Sequence, residues 1–213
     1  MHMKLESVRR EYKKAELSKK DLDNYPFKLF DRWMKEALDS NPHEATSVAL
    51  ITKGLDGFPQ SRIVLLKNFS SNGFVFYTNY NSQKGKAIEA DNRVGLHFFW
   101  PELERQVRIS GVAQKTSREN SIEYFHSRPR ESQMAAAVSN QSAEIPNRKY
   151  LQEKFEALTN RLDQSDPECP QNWGGYLVRP VKFEFWQGRE SRLHDRIVFE
   201  KDDSNWQITR LAP

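Results

Sequence analysis

The sequence predicts a mainly β protein with flanking helices: a closed or partly closed antiparallel barrel, Greek-key-like in its connections, with helices packed outside it. Three observations carry that expectation. Short runs rich in Val, Ile, Phe and Tyr recur along the chain, tight-turn residues separate them, and the strand–helix–strand alternation of a parallel sheet is missing. The 213 residues suit one well-packed domain, and no internal repeat is visible.

Residues 1–24 read as a polar N-terminal arm or loose helix, and the plainest reading of such a terminus is disorder. Residues 25–213 read as a single domain with helical insertions at about 116–164. Pro26 can open a helix, and Phe27, Phe30, Met34, Ala37 and Leu38 keep helical spacing to about Asp39. From Thr46 the pattern becomes β. Thr46 to Thr52 and Gln60 to Lys67 flank the turn residues Gly54 to Pro59; Ser70-Ser71-Asn72-Gly73 then leads into Phe74 to Thr78. Two hairpins in succession predict a meander. Ser82 can cap a short helix through about Ala90, whose first turn would offer backbone N–H groups, Gln83 and Lys84 to an anion.

Arg93 to Trp100 and Gln106 to Gln114 read as further strands. Tyr124, Arg128 and Ser132 are spaced by four, as on one helical face, but Pro129 interrupts that face and starts a second helix to about Val138. Asn147 to Gln164 is one more helix, its charges those of a solvated face. The last strands are Trp173 to Leu177, Val181 to Trp186, Arg192 to Glu200 and Trp206 to Leu211, giving eight or nine in all.

Composition narrows the function classes. Hydrophobic residues make up 37% and charged residues 29%, and the net charge of +4 is too small a surplus to indicate nucleic acid. The single cysteine, Cys169, excludes a disulfide framework and a multi-cysteine metal site, and a reducing cytoplasm is the natural compartment. The N-terminus has no apolar segment of signal-peptide type, and no apolar run approaches a membrane span. Dinucleotide, P-loop, zincin and α/β-hydrolase motifs are all missing, and the five histidines show no metal-ligand spacing.

What remains is a set of phosphate-suited residues interleaved with β-structure. In the stretch from Trp186 to Arg196, a strand after Gly188 would project Arg192, His194 and Arg196 together and turn Leu193 and Asp195 away. Two guanidiniums would then bracket a space the size of a phosphate or an aromatic ring, around an imidazole that titrates near neutrality. A solvated edge strand fits the same spacing. Arg62 and Lys67 are five apart, which puts them on opposite faces of a regular strand unless the strand bends, bulges or ends before Lys67.

A resemblance now bears on these residues. Arg62-Ile63-Val64-Leu65-Leu66-Lys67, Phe76-Tyr77-Thr78-Asn79, Leu103-Glu104-Arg105-Gln106-Val107, Tyr124-Phe125-His126-Ser127-Arg128-Pro129-Arg130, Phe185-Trp186-Gln187-Gly188, Arg192-Leu193-His194-Asp195-Arg196 and Arg210-Leu211-Ala212-Pro213 closely resemble the pyridoxamine 5'-phosphate oxidase family. The likeness runs from about Arg9 to Pro213 with its motifs in order.

The resemblance implies an FMN-binding split β-barrel that works as a homodimer with FMN at the subunit interface. Carried over position by position, Arg62, Ile63, Val64, Leu65, Leu66, Lys67, Tyr77, Thr78, Gln83, Lys84 and Gln106 would hold FMN from one chain. Gln141, Ser142, Trp186 and Arg196 would reach it from the partner. Lys67, Tyr124, Arg128 and Ser132 would bind the substrate phosphate. Arg192, Leu193 and His194 would flank the pyridine ring, with Arg192 and His194 as the catalytic pair, and Arg9, Arg10, Glu11 and Tyr12 would fold over the site as a lid. Gln83 stands where relatives often have arginine, which implies somewhat weaker FMN retention.

The implied reaction oxidises pyridoxamine or pyridoxine 5'-phosphate to pyridoxal 5'-phosphate. A hydride leaves the 4' carbon for the flavin, the imine hydrolyses, and O₂ is reduced to hydrogen peroxide; no side chain can accept a hydride, so a cofactor is required. Rival readings are another flavin oxidase acting on a phenazine-type precursor, a non-catalytic carrier, and a basic-aromatic barrel for single-stranded nucleic acid.

Overall fold

The computed structural model describes residues 4–7 and 11–213. Arg9 and Arg10 of the expected lid lie outside the described residues. Among the described residues there are five α-helices: α1 (Pro26–Ser40), α2 (Gln83–Ala90), α3 (Arg118–Ser127), α4 (Arg130–Val138) and α5 (Arg148–Leu162). Nine strands of the described residues form one sheet: β1 (Ser47–Lys53), β2 (Pro59–Leu65), β3 (Asn68–Ser70), β4 (Gly73–Asn79), β5 (Arg93–Trp100), β6 (Arg105–Lys115), β7 (Trp173–Gln187), β8 (Asp195–Asp202) and β9 (Asn205–Leu211). Its order is β2-β1-β5-β6-β7-β4-β3, with β8 added on β7 and β9 on β8. The chain divides into two compact units.

One unit comprises Met1–Val48, Leu96–Ser110 and Val181–Pro213. Here α1 opens with Pro26 in its first turn and buries Phe27, Leu29, Phe30, Trp33, Met34 and Ala37 along one stripe. Trp33 meets Phe185 edge to face at 5.3 Å and Phe30 meets Phe98 at 5.2 Å. Arg105 lies 4.5 Å above the Trp33 ring and pairs with Glu36 at 2.5 Å, so the helix is fixed by packing and by charge. In the antiparallel ladder of β7 with β8, Trp186 stands opposite Arg196.

The other unit comprises Ala49–Gly95 and Gly111–Pro180. Its β4 pairs antiparallel with both β3 and β7 and buries Phe74, Phe76 and Thr78 in alternation. Ser82 caps α2 by accepting from Gly85 N–H, and Ser117 caps α3 through Asn120 N–H, as their residue types favour. Arg128 is extended (φ −81°, ψ 153°), the conformation that a following proline imposes. Helix α3 therefore stops, α4 starts in a new direction, and Tyr124, Arg128 and Ser132 surround a corner rather than sharing one face.

Three expectations are corrected, and one of the alternatives left open for Arg62 and Lys67 is borne out. The meander breaks, because β2 and β3 sit at opposite ends of the sheet order and β4 pairs with β7. The two expected strands on either side of Pro180 are one, β7; Pro180 falls after the β4 ladder ends at Val178 and before the β8 ladder starts at Lys182, where neither asks for its missing N–H. Strand β2 ends at Leu65, so the spacing of Arg62 and Lys67 needs no bulge. Strand β8 begins only at Asp195. Before it, Glu190–Arg192 make a 3₁₀ turn with Ser191 and Arg192 left-handed (φ 54° and 62°). Side-chain alternation fails there, and Arg192 and His194 are placed by a loop.

Candidate active site

The unit containing α2–α5 holds a cavity of about 660 Å³. Lys67, Lys84 and Arg128 contribute cationic groups to its wall, and among the described residues no carboxylate lines it. Such a surplus of positive charge in a concave, partly apolar site favours an anionic ligand. Ile63, Val64, Leu65, Tyr77, Thr78, Tyr124, Ser132, Gln141 and Trp173 also line it.

Each cation is held differently. Lys67 lies just past β2, and its N–H donates to Val75 carbonyl at 2.8 Å. The Lys84 Nζ donates to Gln141 Oε1 at 2.8 Å; burial, then the Arg62 charge, pulls its pKa below the usual lysine value. Arg128 stacks 4.8 Å above the Trp173 ring and 5.9 Å above Phe125, and its Nη2 donates to the Ser132 carbonyl at 2.9 Å. Its Nη1 is buried with no hydrogen-bond partner among the described residues. A buried guanidinium N–H left in this way is costly, and an anionic oxygen is the partner that suits it. Burial also lowers the Arg128 pKa, without removing its charge at any working pH.

The structure sorts the residues expected here. Lys67, Tyr124, Arg128 and Ser132 meet at the one cavity, as do Ile63, Val64, Leu65, Tyr77, Thr78 and Lys84. Leu66 is buried in the core at 6% exposure. Arg62 turns toward β1, donating from Nη1 to Thr52 Oγ1 at 2.8 Å and to Leu50 carbonyl at 3.3 Å, and does not line the cavity. Gln83 is exposed and outside it. Gln141, expected to act from a partner chain, here accepts from Lys84 and from Thr78 Oγ1 (3.2 Å) of its own chain. Its neighbour Ser142 is exposed, left-handed (φ 71°) and outside the cavity. The sequence pattern marks Trp173 only as the start of a strand; in the structure it stacks with Tyr77 and Tyr124, whose own ring centroids are 3.8 Å apart.

The remaining expected residues belong to the other unit. The rings of Trp186 and His194 lie 4.7 Å apart, and Tyr12 packs edge-on to both at 5.5 and 5.6 Å. Gly188 makes that approach possible: a Cβ there would come within 2.7 Å of the Tyr12 ring. The backbone N–H of Arg189 donates to His194 Nδ1 at 3.0 Å, so the neutral imidazole carries its proton on Nε2. Burial, then the Arg192 cation, lowers the His194 pKa below its usual value. Arg192 and Leu193 are exposed, and a second cavity of about 510 Å³ is lined by Tyr12, Leu193 and the Glu16–Arg189 pair. Glu11 is exposed and pairs with Lys13 at 2.8 Å.

Arg196 donates to Glu184 Oε1 from Nε and Nη2 at 3.0 and 2.9 Å and to the Ala212 carbonyl from Nη1 at 2.9 Å. Gln106 meets His97 Nε2 at 2.9 Å through its side-chain oxygen, which leaves its amide N–H₂ group to point elsewhere. Asp195 gathers the two ends of the chain: it accepts from Leu17 N–H at 3.0 Å and from Arg210 at 2.5 Å, while Arg210 also donates to the Leu17 carbonyl at 2.8 Å.

Comparison with known proteins decides the family. The model for pyridoxamine 5'-phosphate oxidase matches residues 34–161, and that for the pyridoxine 5'-phosphate oxidase C-terminal dimerisation region matches residues 173–213. The chain belongs to the pyridoxamine 5'-phosphate oxidase family. A relative from Leptospira interrogans, a pyridoxine/pyridoxamine 5'-phosphate oxidase, is 50% identical over 214 aligned positions, covering 100% of both chains. Another from Hydrogenovibrio crunogenus is 50% identical and covers 96% of both.

Among solved structures, PhzG of Burkholderia lata, in complex with tetrahydrophenazine-1-carboxylic acid, aligns with a TM-score of 0.85 at 27% identity, covering 91% of this chain and 95% of its own. A pyridoxamine 5'-phosphate oxidase-related FMN-binding protein of Nostoc punctiforme aligns with a TM-score of 0.73 at 16% identity, covering 90% and 100%. These likenesses bear out the split-barrel fold, mainly antiparallel with flanking helices. The family's dimerisation region is present in this chain, and among the described residues no helix is long and apolar enough to cross a membrane.

Proposed function

We propose that the chain is an FMN-dependent oxidase that converts pyridoxamine 5'-phosphate, and pyridoxine 5'-phosphate, to pyridoxal 5'-phosphate. O₂ is the electron acceptor; hydrogen peroxide is released, and ammonia from the amine substrate. The observation that carries this reading is the joining of Lys67, Tyr124, Arg128 and Ser132 on a cavity with no lining carboxylate among the described residues, in a chain 50% identical to oxidases of that name. An oxidase acting on a phenazine-type precursor would have little use for that phosphate cradle.

The donor set fits FMN. Thr78, Lys84 and the first turn of α2 suit its phosphate, and Ile63 to Leu65 and Tyr77 suit its flat ring system. Bound there, FMN supplies hydride acceptance and reoxidation by O₂. The protein's own part is to bind and orient. Arg128, Lys67, Tyr124 and Ser132 anchor the substrate phosphate, fixing the reacting carbon at a set distance from the anchor. Trp186 and Arg196, opposite each other on β7 and β8, reach the cofactor from the partner subunit of a cytoplasmic homodimer that holds FMN at its interface. Tyr12, seated on Trp186 and His194, marks the described part of the arm as the lid of the site.

Arg192 contributes a fixed cation beside the substrate ring, and His194 contributes an Nε2–H. Because Nδ1 is already occupied by Arg189 N–H, His194 donates at Nε2 and does not accept a proton there. His194→Gln should therefore keep turnover within about tenfold of wild type, since an amide N–H can take the Nε2 position, while His194→Ala should fall by about a hundredfold. The pH dependence follows the lowered pKa. The Arg189–His194 contact is intact above the ordinary value of 6.5 and is lost as pH falls through the depressed folded value, when Nδ1 takes a proton. Wild-type kcat should show that acid limb and His194→Gln should not; an unchanged limb in the variant would assign it to another group.

The deciding experiment is the formation of pyridoxal 5'-phosphate from pyridoxamine 5'-phosphate in air, by purified protein with added FMN. Turnover that requires both FMN and O₂ supports the reading. FMN binding without product would leave the fold and remove the substrate.

A further inference from the structure

We propose that Trp173 is a positioning residue for phosphate recognition that acts through Arg128, an inference that rests on the function proposed above. Three restraints meet on the Arg128 guanidinium. One face lies 4.8 Å from the indole of Trp173, the Phe125 ring is 5.9 Å away, and Nη2 is tied to the Ser132 carbonyl. Nη1 alone is left with buried N–H groups that no described residue receives, on a side chain that lines the cavity. Trp173 thus removes the freedom that would let the guanidinium swing away, and the ordering cost is met before an anion arrives.

The indole is itself held from two sides. Tyr77 and Tyr124 lie nearly parallel to it, at 15° and 6°, with centroids 5.6 and 6.2 Å away. Behind it, Arg118 donates to the Pro170 and Trp173 carbonyls at 3.0 Å each and to the Cys169 carbonyl, gripping the loop that delivers Trp173. The Trp173 N–H closes that loop on the Pro170 carbonyl at 3.0 Å. Trp173 also packs with Phe125 and Cys169 in a small buried cluster, which leaves the indole little room to move.

The test is a double-mutant cycle on the FMN-loaded enzyme with pyridoxamine 5'-phosphate. Trp173→Leu should raise KM about tenfold and change kcat less than twofold; Trp173→Phe, which keeps a ring under the guanidinium, should recover most of the loss. In an Arg128→Ala background, Trp173→Leu should add nothing to KM. Equal losses in both backgrounds, or an unchanged KM, would overturn the proposal. Should the wild-type protein not oxidise this substrate, inorganic phosphate is the probe: the thermal stabilisation that it confers through Arg128 should be smaller in Trp173→Leu and retained in Trp173→Phe. Stabilisation equal to wild type in Trp173→Leu would overturn the inference on its own, whatever the enzyme's substrate.

Discussion

Arg128→Ala lowers kcat/KM for pyridoxamine 5'-phosphate by a hundred- to a thousandfold and leaves FMN content unchanged. The magnitude follows from the bonds at stake. Charge-assisted hydrogen bonds are worth about 1.5–3 kcal/mol each, and losing a guanidinium that can offer more than one gives roughly 2.7–4 kcal/mol, or two to three orders of magnitude. Arg128 is pre-set for this by Trp173, Phe125 and the Ser132 carbonyl, with Nη1 unpartnered among the described residues. The loss should nearly vanish when unphosphorylated pyridoxamine is the substrate. Steady-state kinetics on the two substrates checks both statements; an equal loss on both would show that Arg128 serves the fold or the flavin and not the phosphate.

Lys84→Met weakens FMN binding by about a hundredfold while leaving KM for the substrate unchanged once FMN is saturating. Lys84 combines a charge drawn partly out of water, a hydrogen bond to Gln141 and the nearby charge of Arg62, whose pKa burial also lowers without removing that charge. Two cations in that setting repel each other until an anion arrives. The variant should therefore melt no lower than wild type without FMN, and lower than wild type with it, a difference that marks a binding residue rather than a packing one. Flavin fluorescence titration and paired melting curves with and without FMN read the two effects. If the apo variant were markedly less stable, the role given to Lys84 would be wrong.

Local chemistry made much of the fold legible. Strand β5 was expected over Arg93 to Trp100 and runs over those residues, and the cap at Ser82, the break at Pro129 and the start of α1 at Pro26 follow from residue type and spacing. What escaped was whatever depends on distant partners. The expectation of a strand from Arg192 rested on period-two alternation, which two successive left-handed residues abolish, and no residue type at Ser191 or Arg192 announces that backbone. Gln141 joins Thr78 across 63 positions, a contact with no local signature. The sequence marks Trp173 only as a β-former because its partners are far from it along the chain, Tyr77 on β4 and Tyr124 and Arg128 at the end of α3. The phosphate cradle was recoverable because Tyr124, Arg128 and Ser132 are close in sequence, although their corner geometry came from Pro129 rather than from a helical face.

The knot at Asp195 bears on how the molecule assembles and comes apart. It joins Leu17 to residues 178 and 193 positions away, through Asp195 and Arg210. Closures that long bring little reward until almost all of the chain between them is ordered, so they belong to the end of folding rather than to its nucleus. A few hydrogen bonds and the buried Leu17 side chain hold these contacts, far less than holds the sheet, so they open at lower cost than the strands do. Heating should thus release the arm and disturb the His194 loop beside Asp195 while the sheet is still intact. Inactivation would then precede melting, and a half-life of activity would measure the knot rather than the barrel.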